Sequence, residues 1–392
     1  MCDIHESDTR KRPGVKTIPV SEAIGMVLAH DITEIIQGEA KGRAFRKGHI
    51  VKDEDVNHFR RLGKENLFVL SLNDDEVHED DAAYALATAL MGSGLAMEGE
   101  PKEGKINLIA QRRGLLNVDK DALFRFNMLG DVMCASLHSN TVVEKGQVVA
   151  GTRAIPLVVK RNTVEEAVRI AQEGQGSCVI EVKELRRPRV GVVITGNEVY
   201  YGKIKDAFAP VIKKKIADFE GEIIGIYYAP DDEDYIEQRL RELIEAGADL
   251  LITTGGMSVD PDDVTRFAIR KLGVTEITYG SAVLPGAMFL VAYVSAEAQK
   301  RVSAEAKDFQ TSELRTLYEP LAPSHRPNSE LIPILGIPAC GMYHSTTIFD
   351  LILPRVLAGE QIGRRELAEL GHGGLCLNCK ECRYPVCPFG KY

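Results

Sequence analysis

The chain has 392 residues, more than one hydrophobic core usually organises, so several domains are expected. Hydrophobic residues make up 44% and charged residues 27%, a globular balance that excludes global disorder. The formal net charge of −9 argues against a duplex nucleic-acid binder, which needs a basic surface, but leaves room for one local cationic pocket.

Met1 to Arg12 is polar and lacks the apolar core of a signal peptide. Residues 1–75 then read as a small β-rich module. A strand region spans 27–35, and an acidic helix start at Asp53-Glu54-Asp55 turns Val56, Phe59 and Leu62 inward. Gly63 stops that helix ahead of a strand over 66–70. Residues 76–186 read as an α+β module with a helix over 80–91. Thr163 and Glu166 have the spacing of a capping box, which predicts a helix start there. Val164, Ala167, Val168 and Ala171 would face inward and Gly174 would end the helix. Arg186-Arg187-Pro188 reads as a hinge.

Residues 187–360 alternate strand and helix. Val190–Ile194 is a continuous apolar run, as in a strand buried on both faces. A helix from about Ala207 carries Phe208, Ile212, Ile216 and Phe219 inward. A strand over 223–228 follows, then a helical stripe of Ile236, Leu240, Leu243 and Ile244. Next come a strand over 250–253 and a helix from about Asp262 with Val264, Phe267, Ala268 and Leu272 inward. The expected fold is therefore α/β: a doubly wound, largely parallel sheet, with ligands bound beyond the carboxyl ends of its strands. The polar stretch 295–330 reads as a surface insertion between the strands 289–294 and 331–335, and a last core helix is expected over 345–357. Residues 361–392 form a cysteine-rich tail that the sheet should not need.

Two turns fall at strand ends, Thr195-Gly196-Asn197-Glu198 and Thr253-Thr254-Gly255-Gly256-Met257-Ser258-Val259-Asp260-Pro261-Asp262-Asp263. Small residues there let backbone amides approach a phosphate, and hydroxyls add donors. Acidic residues at a helix start are also ordinary caps, the favoured reading for Asp262; for Asp263 the two readings are even.

Together with Asp206-Ala207, Pro230-Asp231-Asp232, Pro285-Gly286 and Gly336-Ile337-Pro338-Ala339-Cys340-Gly341, these turns resemble the molybdopterin-binding domain. That domain is shared by molybdopterin molybdenumtransferases and molybdopterin adenylyltransferases. Residues 1–75 look distantly like the β-rich modules of the molybdenumtransferases, and 363–392 look like the tail of one branch of the family. The resemblance implies an adenylylated or molybdenum-loaded molybdopterin as ligand and a role in molybdenum cofactor biosynthesis, with molybdate insertion as the associated transferase activity. It places active-site carboxylates at Glu198 and Asp263, and a further one at Asp231 or Asp232. Thr195, Gly196, Asp206, Thr254, Gly255, Gly256 and Ser258 fall around the ligand, and Pro285 and Gly286 form one wall. A divalent cation such as Mg²⁺ near the carboxylates would offset phosphate and molybdate charge.

The chain also departs from the family pattern. Ala287 and Met288 stand where a Lys-Pro pair is common, removing a cation, and Pro338-Ala339-Cys340-Gly341 replaces a Pro-Gly-Asn-Pro turn. A non-catalytic cofactor carrier or sensor therefore stands beside the transferase reading. A third reading, a protein like the nicotinamide-nucleotide amidohydrolases, rests on Pro261-Asp262-Asp263-Val264-Thr265. The expected partners are the pterin and a recipient molybdoenzyme, with self-association as in relatives, and neither nucleic acid nor membrane.

Four of the eight cysteines, Cys376, Cys379, Cys382 and Cys387, crowd the tail, while Cys2, Cys134, Cys178 and Cys340 are scattered. This pattern predicts a reducing, cytoplasmic setting with one metal site, either Zn²⁺ or an iron–sulfur cluster. Cys340 reads as packing, and His49, His138 and His344 as structural or surface residues. No apolar run approaches the ~20 residues that span a bilayer.

Overall fold

A computed structural model of the chain describes residues 15–34, 42–70, 73–173, 178–257, 263–274, 276–295 and 331–391. It divides into two units, residues up to Lys183 and residues from Glu184 onward. The insertion read over 295–330 lies, from 296, outside the described residues, as do Gly174, Ser258 and Asp262. No helix among the described residues is long and apolar enough to cross a membrane.

In the first unit, Val15–Pro19 pairs antiparallel with Asn66–Leu70, and Ile32–Glu34 pairs with Gly42–Phe45. The helix Asp55–Arg61 buries Phe59, which stacks on Phe45 with ring centroids 4.0 Å apart. The helix Glu79–Leu90 buries Ala82, Ala83, Leu86 and Leu90 in the same core as a four-stranded antiparallel sheet. That sheet runs Leu95–Met97, Lys105–Ala110, Val148–Ala154, Val132–Ser136.

The capping box expected at Thr163 does not form. The helix there is Arg161–Gln172, with Lys160 at its N-cap and no side-chain cap. The strand Val158–Lys160 runs straight into it, and Asp75 O accepts from the Arg161 amide at 2.8 Å, so the start is fixed from outside. Glu166 turns to Arg169 one turn on, accepting from its Nε at 2.8 Å. Ile170, not Val168, completes the buried face with Val164, Ala167 and Ala171.

The second unit is built on a six-stranded sheet. Its order is Glu222–Ala229, Arg189–Thr195, Leu250–Thr254, Leu331–Ile337, Leu290–Ser295, Ile277–Tyr279. The first four strands are parallel, and the last two turn antiparallel at one edge. The largely parallel α/β sheet anticipated from the alternating pattern is thus present. Val190, Val192 and Val193 are fully buried because helices cover both faces. Phe208–Ala217 and Ile348–Leu357 pack on one face, and Glu233–Glu245 and Thr265–Lys271 on the other. The last of these buries Thr265, Ala268 and Ile269, with Leu272 just beyond it. Phe267 points outward instead of inward, and the Arg266 guanidinium lies 4.9 Å from its ring centre. The helix Ile348–Leu357 is capped by Thr347, whose hydroxyl accepts from the Phe349 amide at 3.2 Å, while Asp350 accepts from the Thr347 amide at 2.7 Å.

The tail is not an appendage. Leu375 forms a parallel bridge with Leu284, and Phe389 is 3% exposed in the core that also holds Phe349 and Ile352. Leu370, Leu375 and Phe389 stand singly among polar residues, so no apolar run announces that they dock.

Candidate functional site

The carboxyl ends of three adjacent parallel strands are joined by side-chain hydrogen bonds. Thr195 ends one strand, is buried, and donates from Oγ1 to Thr254 O at 2.7 Å. The Thr265 hydroxyl lies 3.2 Å from Thr195 Oγ1 and also donates to Gly255 O at 3.2 Å. These contacts fix the ends of Arg189–Thr195 and Leu250–Thr254 against the start of the helix Thr265–Lys271. That helix begins at Thr265, three residues later than the sequence suggested, and is one short element of seven residues.

Gly196 takes a positive φ of +133°, and Asn197 opens a one-turn helix, Asn197–Tyr200, that carries the exposed carboxylate of Glu198. Asp231 Oδ2 accepts from the Asn197 amide at 3.0 Å, and the Asp231 amide donates back to Asn197 Oδ1 at 3.3 Å. Asp231 is therefore the acidic residue that faces the Thr195–Glu198 turn. Asp232 instead caps the helix Glu233–Glu245, accepting from the Tyr235 amide at 2.8 Å. Asp206 is likewise engaged: its carboxylate accepts from the Phe208 and Ala209 amides at 2.7 and 3.0 Å and from Tyr228 Oη at 3.2 Å. Burial, with Asp206 alongside, raises the Tyr228 hydroxyl pKa. Asp263 is half-buried ahead of the Thr265 helix.

The two turn glycines do more than admit a ligand. Gly255 has φ +79°, and a Cβ there would stand 2.5 Å from Thr195 O. Gly256 has φ +55°, and its Cβ would stand 2.3 Å from Thr265 Oγ1. Both close approaches are to the protein's own turn, so a branched residue at Gly256 would strain the fold as well as any bound phosphate. Beside them the Thr253 and Thr254 hydroxyls are buried with no hydrogen-bond partner among the described residues. Met257 is buried and its carbonyl accepts from Tyr279 Oη. Ser258 lies outside the described residues.

Pro285 and Gly286 meet the start of the helix Ile348–Leu357. The Ile348 amide donates to Pro285 O at 3.3 Å, and a Cβ on Gly286 would stand 2.4 Å from Ile348 Cγ2. Leu284 donates to Gly374 O and accepts from the Cys376 amide, each at 2.8 Å, tying this segment to the tail.

The four tail cysteines line a single cavity of about 260 Å³, with His344, Thr346 and Arg383 among its other walls. Cys379 and Cys382 are exposed, Cys376 and Cys387 half-buried, and all four are free thiols. Ser345, Thr346 and the Tyr384 amide hydrogen-bond the Cys382 sulfur and hold its pKa below the ordinary thiol value. Among the described residues, no three His, Cys, Asp or Glu side chains form a group placed to hold one metal ion. Cys340 lies elsewhere, half-buried, its thiol pKa raised by burial. Sequence reasoning missed the Thr265 hydroxyl and the Asn197 side chain as organising groups; Thr265 was in sight only as the end of the 261–265 motif.

A family model described as "Probable molybdopterin binding domain" matches residues 191–356, and one described as "Domain of unknown function" matches 17–71. A CinA-like protein of Mycobacterium avium is 37% identical over 89 residues, 21% of this chain and 20% of that protein. A CinA-like protein of Thermosipho melanesiensis is 30% identical over 115 residues, 29% of this chain and 28% of that protein. The chain thus spans between about a fifth and just over a quarter of the length of the curated relatives it matches. Among solved structures, the molybdopterin biosynthesis enzyme MoaB of Thermus thermophilus is 18% identical with a TM-score of 0.30, covering 44% of this chain and 98% of its own. The molybdopterin biosynthesis MoeA protein of Pyrococcus horikosii is 15% identical with a TM-score of 0.29, covering 91% and 76%. Over residues 191–356, the chain carries a domain of the probable molybdopterin-binding family.

Proposed function

We propose that the second unit holds a molybdopterin-type pterin phosphate in molybdenum cofactor biosynthesis, at the carboxyl ends of Arg189–Thr195, Glu222–Ala229 and Leu250–Thr254. The observation that carries this reading is convergence. Thr195, Thr254, Gly255 and Thr265 are linked by hydrogen bonds, and Asn197 is linked to Asp231, at one end of the parallel sheet, within the segment that matches the family model. Sheets of this kind bind ligands at that end.

The residues present suit a phosphate ester. The buried Thr254 hydroxyl, unpartnered among the described residues, is a donor in reserve beside the glycine turn of Gly255 and Gly256, next to Thr195 and Gly196, and the family resemblance adds Ser258 to the ligand's contacts. The family resemblance makes Pro285 and Gly286 one wall of the same pocket. Glu198, Asp231 and Asp263 would repel the phosphate unless a divalent cation such as Mg²⁺ sits between them. When bound, the pterin supplies the dithiolene sulfurs that carry molybdenum; the protein's own groups orient its phosphate and hold the cation. Ala287 and Met288, in place of a Lys-Pro pair, favour a holding role, carrier or sensor, over molybdate insertion. Self-association and delivery to a recipient molybdoenzyme belong to the same proposal.

Titrating the full chain with molybdopterin tests this reading directly. Saturable, near-stoichiometric binding is expected, with no release of nucleotide when adenylylated pterin and molybdate are supplied together. Nucleotide release would restore the molybdenumtransferase reading. Failure to bind the pterin, with binding of nicotinamide mononucleotide instead, would favour the amidohydrolase-like reading suggested by residues 261–265.

A further inference from the structure

We propose that Cys376, Cys379, Cys382 and Cys387 hold a polynuclear iron–sulfur cluster, whose site braces the Leu284–Gly286 segment of the domain. All four thiols line one cavity, while Cys134, Cys178 and Cys340 lie outside it. The segment does not depend on the thiols for its path. Leu375 bridges Leu284, Tyr384 Oη donates to Asp350 O at 3.2 Å, and Phe389 is buried in the core. Packing therefore fixes the ends of the segment, and the four cysteines between them line a common space.

Spacing and the cavity together favour a cluster over a single Zn²⁺. A single Zn²⁺ holds each sulfur at ~2.3 Å, so four sulfurs must close to within roughly 3.8 Å of one another. No three of the described side chains form such a group, and the four cysteines are among the residues lining a cavity of about 260 Å³. A cluster fills such a space with its own iron and sulfide. The Cys376-x2-Cys379-x2-Cys382 spacing matches the first part of an iron–sulfur run, with the last gap one residue longer. The surroundings also suit thiolate sulfur. Thr346 Oγ1 lies 3.2 Å from Cys382 Sγ, a hydrogen bond of the kind that tunes cluster sulfurs, and Arg383 lines the cavity as a countercharge. Each thiol binds as thiolate and releases its proton to solvent.

The link to the pterin domain is through the backbone. Cys376 donates its amide to Leu284 O at 2.8 Å, and the next residue, Pro285, accepts from Ile348 at 3.3 Å. His344 and Thr346, which also line the cavity, belong to the loop that leads into that same helix. A cluster would cross-link the two loops.

The test uses full-length protein purified without oxygen and needs no pterin, so its failure is separate from failure of the pterin reading. Iron and acid-labile sulfide at about two to four per chain, with broad visible absorption, are expected. Native protein should resist alkylation at Cys379 and Cys382 until a chelator strips the iron. Cys379→Ser and Cys382→Ser should each lose more than half of the iron, and Cys178→Ser none, with circular dichroism confirming that all three are folded. One zinc per chain in colourless protein would overturn the proposal. So would immediate alkylation of the exposed thiols in native protein with neither iron nor zinc bound, an outcome that holds even if the serine variants misfold.

Discussion

Asp231 and Asp232 are neighbours with different work, and single substitutions should separate them. Asp231→Ala removes the acceptor that latches the Asn197 turn, so pterin affinity should fall about tenfold, the worth of one hydrogen bond of ~1.4 kcal/mol, with little change in melting. Asp232→Ala removes a helix cap, costing about 1 kcal/mol of stability and leaving affinity intact. Equal effects of the two on affinity would refute the assignment. A second residue-scale prediction concerns Glu79, 6% exposed, whose pKa is raised to about 7, first by burial and then by Asp80 and Glu103, against the pull of Lys47 and Arg153. The folded state therefore binds this proton more tightly than the unfolded chain, where the value is 4.5. The stabilisation is full below 4.5 and is lost as pH rises through about 7, up to about 3 kcal/mol across that window. Glu79→Gln should flatten the difference in urea stability between pH 4.5 and 7.5; an unchanged slope would place the titration elsewhere.

At the scale of elements, helix starts show what could be read from sequence and what could not. Thr163 and Glu166 have the capping-box spacing, yet the box forms at Thr347 and Asp350. Spacing alone cannot tell that a strand already feeds the chain into Arg161, whereas Thr347 follows a loop in which Pro285 O takes the Ile348 amide and the Thr347 hydroxyl takes the Phe349 amide. Thr347→Ala should cost about 1 kcal/mol. Asp350→Ala should cost more, because Asp350 also pairs with Lys215. Guanidinium melts of both variants check the order. The strands and helices of the second unit were legible because apolar runs and 3.6-residue stripes are long there. Phe267 was misplaced because an aromatic at the right spacing looks inward until Arg266 is seen to cover it. Of the residues in the turn network at the strand ends, Thr195, Gly255 and Gly256 were legible through the turn pattern. The choice of Asp231 over Asp232 needed coordinates, since one residue of register decides which carboxylate faces the turn.

For the molecule as a whole, the tail changes the accounting of the second core. Truncation after Leu370 appears harmless from the sequence, but it removes Phe389 and the Leu375 bridge. Phe389→Ala alone should destabilise the second unit by about 3–5 kcal/mol, and the truncation by at least as much. A truncated chain that melts at the wild-type temperature would contradict this packing. Isolated apolar residues in a polar stretch carry no periodic signal, and for that reason the docking escaped the pattern.

The strand order sets a schedule for synthesis. Leu331–Ile337 lies inside the sheet, between Leu250–Thr254 and Leu290–Ser295, although it is the last of the six strands to be made. Until it leaves the ribosome, the two strands that will flank it have unpaired edges, and the parallel half of the sheet stays separate from its antiparallel edge. The first unit, whose strands are all made by Glu184, has no such wait. Nascent chains should therefore acquire protease resistance in two steps, the second only after residue 337 and the helix behind it have emerged. In the interval between them, the open strand edges are the segment of this protein most exposed to misassociation.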